Sequence, residues 1–130
     1  GRIDTMLDEF PALSTRADQG ALTCHDLVKC IFNLNQTEVS ILRSLPEDDP
    51  RTPNDMAEVM KKDRSTVYRG LEKLVSLGLA YKERKGGESR GFSNVYSRVP
   101  EKELFRKAEK SLDECYAKIK TILKETSESE

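Results

Sequence analysis

The chain has 130 residues, with 36% hydrophobic residues, 35% charged residues and no Trp. That length supports one domain around a single modest core, and the composition suits a small protein with much exposed helical surface. No apolar run approaches the roughly 20 residues needed to span a bilayer, and no basic stretch followed by an apolar one marks a secretory signal, so no membrane association and a cytoplasmic location are expected.

The formal net charge is -1, but it is unevenly distributed. Lys61 to Arg98 holds ten Lys and Arg against four acids, a local +6 that leaves -7 for the rest of the chain. A basic patch on an acidic body can steer a polyanion, although a solvated charged face has the same composition. The three cysteines, Cys24, Cys30 and Cys115, are an odd number and argue against a disulfide framework.

In chain order, residues 1–20 show weak periodicity and carry Pro11, Ser14, Thr15 and Gly20. A poorly ordered leader is expected there, with at most a short helix around Met6 to Phe10. A helix over 23–34 follows, because Cys24, Leu27, Val28 and Ile31 recur at helical spacing, overlapped by Leu27, Cys30, Ile31 and Leu34. Asn35 with Glu38 three positions later marks the next helix start, and Val39, Leu42 and Leu45 form its inward face. Pro46 and the acidic stretch Glu47 to Pro50 end that helix.

Thr52-Pro53-Asn54-Asp55 is another start: a capping Thr, Pro at the first helical position and an acid in the first turn. The short helix carries Met56, Ala57 and Met60 inward. Only Lys61 and Lys62 separate it from Asp63, which can cap a helix over 63–78. Val67, Leu71, Leu74 and Val75 form the apolar face of that helix, and Gly78 is a natural left-handed stop.

Leu79 to Lys85 and Phe92 to Val99 have strand character and bracket Gly86, Gly87 and Gly91, which predicts a hairpin over 79–99 with a tip of roughly six residues. After Pro100, Glu101 and Glu103 favour a helix start. Ala108, Leu112, Cys115, Ile119 and Ile122 then recur at spacings of 4, 3, 4 and 3, a heptad pattern. A helix over 100–125 would be roughly 37 Å long, more than one small domain covers. Its seam of Leu104, Ala108, Leu112, Cys115, Ile119 and Ile122, helped by Leu27 and Ile31, is expected to meet a second copy. Packing back onto its own domain is the competing arrangement. Residues 126–130 are expected to be a disordered tail.

The fold class predicted is mainly α with a small β-hairpin wing: a winged helix-turn-helix over 21–99 with a long C-terminal dimerisation helix. In such a unit the last helix of the trio lies in the DNA major groove with its first residues at base edges and phosphates. Those residues must be exposed and able to hydrogen-bond, and Arg64, Ser65, Thr66, Tyr68 and Arg69 meet that demand. Arg69 is the candidate for a bidentate contact to guanine, worth about 1–3 kcal/mol of discrimination. Ser65 and Thr66 suit phosphate, and Lys73, a turn further on, the DNA backbone. Tyr68 could reach a phosphate or a thymine methyl, or pack partly against the wing. Arg64 could instead pair with Asp63 or point to solvent. Arg84, Lys85 and Arg90 surround the wing glycines and suit the minor groove or phosphate.

The stretch "DRSTVYRGLEKLVSLGLAYKER" resembles the recognition helix and first wing strand of archaeal TrmB-like regulators, relatives of the broader MarR-type class. The resemblance covers roughly residues 23 to 125 and rests on Arg64 through Arg69 with Leu71, Leu74, Gly78 and Leu79. It implies a dimeric, cytoplasmic transcription regulator that uses 63–78 to read double-stranded DNA. Sugar-sensing members of that group carry a large C-terminal effector domain, whereas this sequence ends after one long helix, so sugar sensing is not carried over.

The alternative function is a winged-helix protein-interaction module of the transcription machinery that does not read DNA. The clustered +6 charge, with Arg at the helix start, favours DNA. Cys24 and Cys30 sit six positions apart, roughly 120° from facing one another on a helix, and cannot chelate one ion comfortably. All three cysteines lie on apolar stripes and suit packing. A redox switch across the dimer interface and a metal site are the competing readings. With one His, no Gly-rich phosphate loop and no nucleophile motif, neither enzymatic activity nor a cofactor is expected.

Overall fold

The computed structural model describes residues 24–87 and 91–129, so the expected leader over 1–20 and Arg90 at the wing tip lie outside the described residues. The side chains of Cys24 and His25 lie outside them as well. In chain order the elements are α1 (Cys24–Ile31), α2 (Gln36–Ser44), α3 (Pro53–Met60), α4 (Arg64–Ser76), β1 (Ala80–Gly87), β2 (Gly91–Arg98) and α5 (Glu101–Ser129). The described residues fall into two compact units, one over Leu34–Leu104 and one that holds those up to Asn33 and from Phe105 onward. No helix among the described residues is long and apolar enough to cross a membrane.

The unit over Leu34–Leu104 is a trio of helices followed by a hairpin. Both expected helix starts carry capping boxes. Asn35 and Glu38 exchange hydrogen bonds of 2.8 Å at the start of α2, and Thr52 and Asp55 do so at 3.1 and 3.3 Å at the start of α3. Each box satisfies amide donors that the first helical turn leaves without partners. Helix α3 ends at Lys61, whose left-handed backbone (φ 55°) closes the tight turn into Asp63. Helix α4 ends in a Schellman motif: Leu79 N donates to Leu74 O and Gly78 N to Val75 O, with Gly78 at φ 77°.

Val67, Leu71 and Leu74 of α4 are fully buried and pack with Val39, Ile41, Leu42, Leu45 and Met56 into the core of this unit. Val75, expected with them, is only half-buried, because it lies off the centre of that stripe. A residue without a side chain completes the buried face. A Cβ on Gly70 would overlap Ile41 Cδ1, and Ile41 has no exposed surface into which to retreat. Gly70 therefore lets α2 and α4 approach closely.

In the hairpin, Ala80 pairs with Arg98 and the register runs without interruption to Gly87 opposite Gly91. The strands thus extend through Gly86, Gly87 and Gly91, and residues 88–90 lie outside the described residues. A third segment joins on the other side of β2. Arg51 and Tyr96 exchange backbone hydrogen bonds of 2.8 and 2.7 Å, forming an isolated antiparallel bridge.

In the other unit, α1 ends at Ile31 rather than 34, because Asn33 turns left-handed at φ 54° and Phe32 N closes the last turn onto Val28 O. Val28, Cys30, Ile31 and Phe32 are buried there, as is Ala108. Helix α5 runs on through Ser129, so residues 126–129 are helical and not the disordered tail expected. Thr126 to Ser129 contain no Pro or Gly to stop it, and extending an existing helix is far easier than starting one.

Gly70→Ala is expected to lower the melting temperature: overpacking costs about 1–3 kcal/mol, against about 1 kcal/mol gained in helix propensity. Ile41→Val removes the overlapping methyl. In thermal unfolding the double variant should be more stable than the two single effects added, and simple additivity would argue against the clash.

Candidate nucleic-acid interface

The first turns of α4 separate two kinds of residue by helical geometry. Arg64, Ser65, Tyr68 and Arg69 are exposed and Thr66 is half-buried, while Val67, Leu71 and Leu74 face the core. Positions 64, 65, 68 and 69 share one face because they repeat at i, i+1, i+4 and i+5 of a 3.6-residue turn. Asp63 caps the helix, and its two oxygens accept from Thr66 N, Thr66 Oγ1 and Ser65 Oγ. The Thr66 amide, then the Thr66 hydroxyl, holds the Asp63 carboxyl below its ordinary value, with Ser65 and Arg69 adding to the effect.

Lys73 points elsewhere. Its Nζ lies 2.9 Å from Glu38 Oε1, the same oxygen that accepts from Asn35 N in the α2 capping box. Glu38 is buried, so this pair links the start of α2 to the middle of α4. A contact from Lys73 to a DNA backbone would compete with that bond.

The wing is fastened to α4 by Glu72. Tyr96 OH donates to Glu72 Oε2 at 2.6 Å, and Lys82 Nζ lies 3.1 and 3.0 Å from its two oxygens. The Tyr96 bond is the main reason that the Glu72 carboxyl lies below its ordinary value, with Lys82 contributing further. Burial of the Tyr96 phenol, then its bond to Glu72, pushes that hydroxyl well above the ordinary tyrosine value. On β1, Tyr81 OH donates to Glu103 Oε2 at 2.7 Å, joining the wing to the first turn of α5.

The acidic loop now has a role. Glu47 pairs with Arg98 at 3.6 Å, Asp49 with Arg51 at 2.7 Å, and Arg98 N donates to Pro46 O at 2.9 Å. The loop holds the wing root and leaves the wing's outer end to other cations. Arg84 and Lys85 are exposed there, while Arg90 lies outside the described residues.

Sequence reasoning missed a crevice of about 220 Å³ where the starts of α3 and α4 meet β2. Asn54, Arg64, Tyr68, Ser93 and Asn94 line it. The hairpin register places Asn94 opposite Arg84 and Ser93 opposite Lys85, so each shares a sheet face with a basic residue. That register was the signal available, but the glycines obscured how far the strands extend. Tyr68 is 43% exposed and lines the crevice together with Ser93 and Asn94 of the wing.

Along the expected dimer seam, Ile31, Leu104 and Ala108 are buried in the single chain, and Cys115 and Ile119 are half-buried. Leu27, Leu112 and Ile122 are largely exposed, as are Phe105, Tyr116 and Leu123, which the heptad omitted. Tyr116 lies beneath Lys120 Nζ, 5.1 Å from its ring centre. Cys30 is buried.

A helical trio whose last member exposes a polar, basic start, followed by a hairpin wing, defines a winged helix-turn-helix, the architecture of DNA-binding transcription regulators. Solved structures share the fold. A possible transcriptional regulator from Methanosarcina mazei Go1 matches with a TM-score of 0.71 at 20% identity, over 80% of this chain and 88% of that one. S. aureus MepR, crystallised in complex with DNA, matches at 0.52 and 20% identity over 92% and 96%.

Among curated sequences, the uncharacterized protein MJ1082 of Methanocaldococcus jannaschii is 31% identical over 101 residues, which cover 78% of this chain and 83% of its own. MJ1503 of the same organism is 27% identical over 103 residues, covering 79% and 78%. Residues 28–102 match the family described as sugar-specific transcriptional regulator TrmB, and the chain belongs to that family.

Tyr96→Phe is expected to cost about 1–2 kcal/mol in chemical denaturation at neutral pH, because it removes a bond to an ionised partner. The Glu72 carboxyl is depressed in the folded state. Its contribution is therefore full above its unfolded value of about 4.3 and fades as pH falls through the lower folded value. The wild-type advantage over Tyr96→Phe should shrink on acidification; an advantage that grows below pH 4 would contradict the assignment.

Proposed function

We infer that this protein is a sequence-specific regulator that binds double-stranded DNA as a homodimer. In this reading α4 lies in the major groove and the wing lies on the minor groove or the phosphate backbone. The observation that carries it is the exposed set Arg64, Ser65, Tyr68 and Arg69 on one face of a helix whose other face is locked into the core. Arg84 and Lys85, exposed on the wing, extend the basic surface. Arg69 is the base reader, and Arg64, Tyr68 and the wing cations set position on the duplex. Arg90, though outside the described residues, belongs to the same tip by sequence.

The dimer uses α5. Its exposed Leu112 and Ile122, with half-buried Cys115 and Ile119 between them, are the part of the heptad seam with surface left for a second copy. Two recognition helices would then sit about 34–36 Å apart on a roughly palindromic site.

Retardation of duplex DNA should weaken steeply as salt rises, because binding releases counterions from phosphates. Arg69→Ala should lose discrimination between sites, whereas Arg84→Ala and Lys85→Ala should weaken all sequences alike. Binding that ignores salt, or an Arg69→Ala protein with unchanged site preference, would overturn the assignment.

Replacing Leu112 and Ile122 together by Glu removes no buried side chain and should leave the melting of each chain nearly intact. Sedimentation should then show a monomer where the unaltered protein is a dimer. A dimer that persists would place the interface elsewhere.

A further inference from the structure

Both hydroxyl groups at the start of α4 are committed to one carboxylate. Thr66 Oγ1 lies 2.8 Å from Asp63 Oδ2, and Ser65 Oγ lies 3.1 Å from Oδ1, which also accepts from Thr66 N at 2.7 Å. An ionised carboxylate has no hydrogen to give, so the hydrogen in each hydroxyl pair comes from Ser65 or Thr66. The bonds from Thr66, and then Ser65 and Arg69, favour the ionised form.

A hydroxyl has a single hydrogen, so what Ser65 and Thr66 can still present is lone pairs. Phosphate oxygens, guanine O6 and N7, and thymine O4 are acceptors and match that surface poorly. The major-groove groups that donate are the exocyclic amines, cytosine N4 and adenine N6. Turning either hydroxyl toward a phosphate would break its bond to Asp63 and leave a carboxylate facing a polyanion. The phosphate contact expected from the residue types alone is thus disfavoured by the neighbour.

We propose that Asp63 is a specificity-determining positioning residue. By taking the hydrogens of Ser65 and Thr66, it makes the start of α4 an acceptor surface that selects an exocyclic amino group. Exposed Ser65 leads this surface and half-buried Thr66 supports it. It lies beside the donor Arg69, so one helix end reads an amino group and a guanine with opposite polarities. The proposal rests on the DNA-binding reading given above.

The test is selection of bound sites from a randomised duplex library by the whole protein, compared with Asp63→Asn and Ser65→Ala. Asn caps a helix about as well as Asp, with its Oδ1 still accepting from Thr66 N and Ser65 Oγ. Its amide takes the place of Oδ2, donates to Thr66 Oγ1 and frees that hydroxyl's hydrogen to point outward. Ser65→Ala leaves the Asp63 bonds to Thr66 in place, so it tests the surface even if Asp63→Asn fails to fold. The unaltered protein should prefer one base pair at a position of each half-site other than the one read by Arg69, and the library shows whether its amine is that of cytosine or adenine.

Ser65→Ala should lower that preference about fivefold or more, and Asp63→Asn, which reverses only the Thr66 hydroxyl, should lower it by less, with the guanine preference lost in Arg69→Ala unchanged. Asp63→Asn should also bind unrelated duplex more tightly, since a negative charge is gone and one donor is released. Full retention of the amino-group preference in Ser65→Ala and in folded Asp63→Asn would overturn the acceptor assignment alone. An unaltered protein that binds no duplex at low salt would overturn the DNA-binding reading and this proposal together.

Discussion

The fully buried ring of Tyr96 connects the parts of the Leu34–Leu104 unit that would otherwise be independent. Its backbone exchanges two hydrogen bonds with Arg51, at the end of the acidic loop, and its hydroxyl donates to Glu72 on α4. A two-stranded hairpin alone is marginal in water. Here the ring supplies apolar burial, the bridge supplies a neighbouring segment, and the phenol secures α4. The orientation of wing against helix, on which any simultaneous contact with groove and backbone depends, follows from that one side chain and its partners.

The balance of charge follows a similar division. Lys73 is paired with Glu38, Lys82 with Glu72, Arg98 with Glu47 and Arg51 with Asp49. Partly exposed pairs of this kind add little stability, but they fix which cations are turned inward along the scaffold. Arg64, Arg69, Arg84 and Lys85 are exposed. In a chain of net charge -1, four acids are thus taken up by scaffold cations while these four cations stay on the surface. The acidic loop after Pro46, which had no evident purpose in the sequence, is one of the partners that make this possible.

Much of the architecture was legible from local chemistry. The capping residues Asn35, Thr52 and Asp63 mark three helix starts because a side-chain oxygen at that position satisfies amides that nothing else nearby can. Gly78 marks the exit from α4 because the left-handed turn there suits a residue without Cβ. The exposed set on α4 followed from the 3.6-residue period. Less legible was whatever depended on distant partners. Lys73 looks like its neighbours in sequence, and only the approach of α2 reveals that Glu38 takes it. Asn33 ended α1 early through a backbone choice that its apolar neighbours concealed.

What the amino-acid order determined by itself was the sequence of elements, their apolar faces and the polarity of the α4 start, because caps, periodicity and turn residues act over a few positions. What only the tertiary structure decided was how those pieces are used. It brought Gly70 against Ile41, Arg51 beside Tyr96 and Ser93 and Asn94 to the crevice below Arg64. It also settled the hydrogen-bond polarity of Ser65 and Thr66, through the rotamer of Asp63. The physical reason is that a hydroxyl is donor or acceptor according to its neighbour, and a neighbour's position is a property of the folded chain.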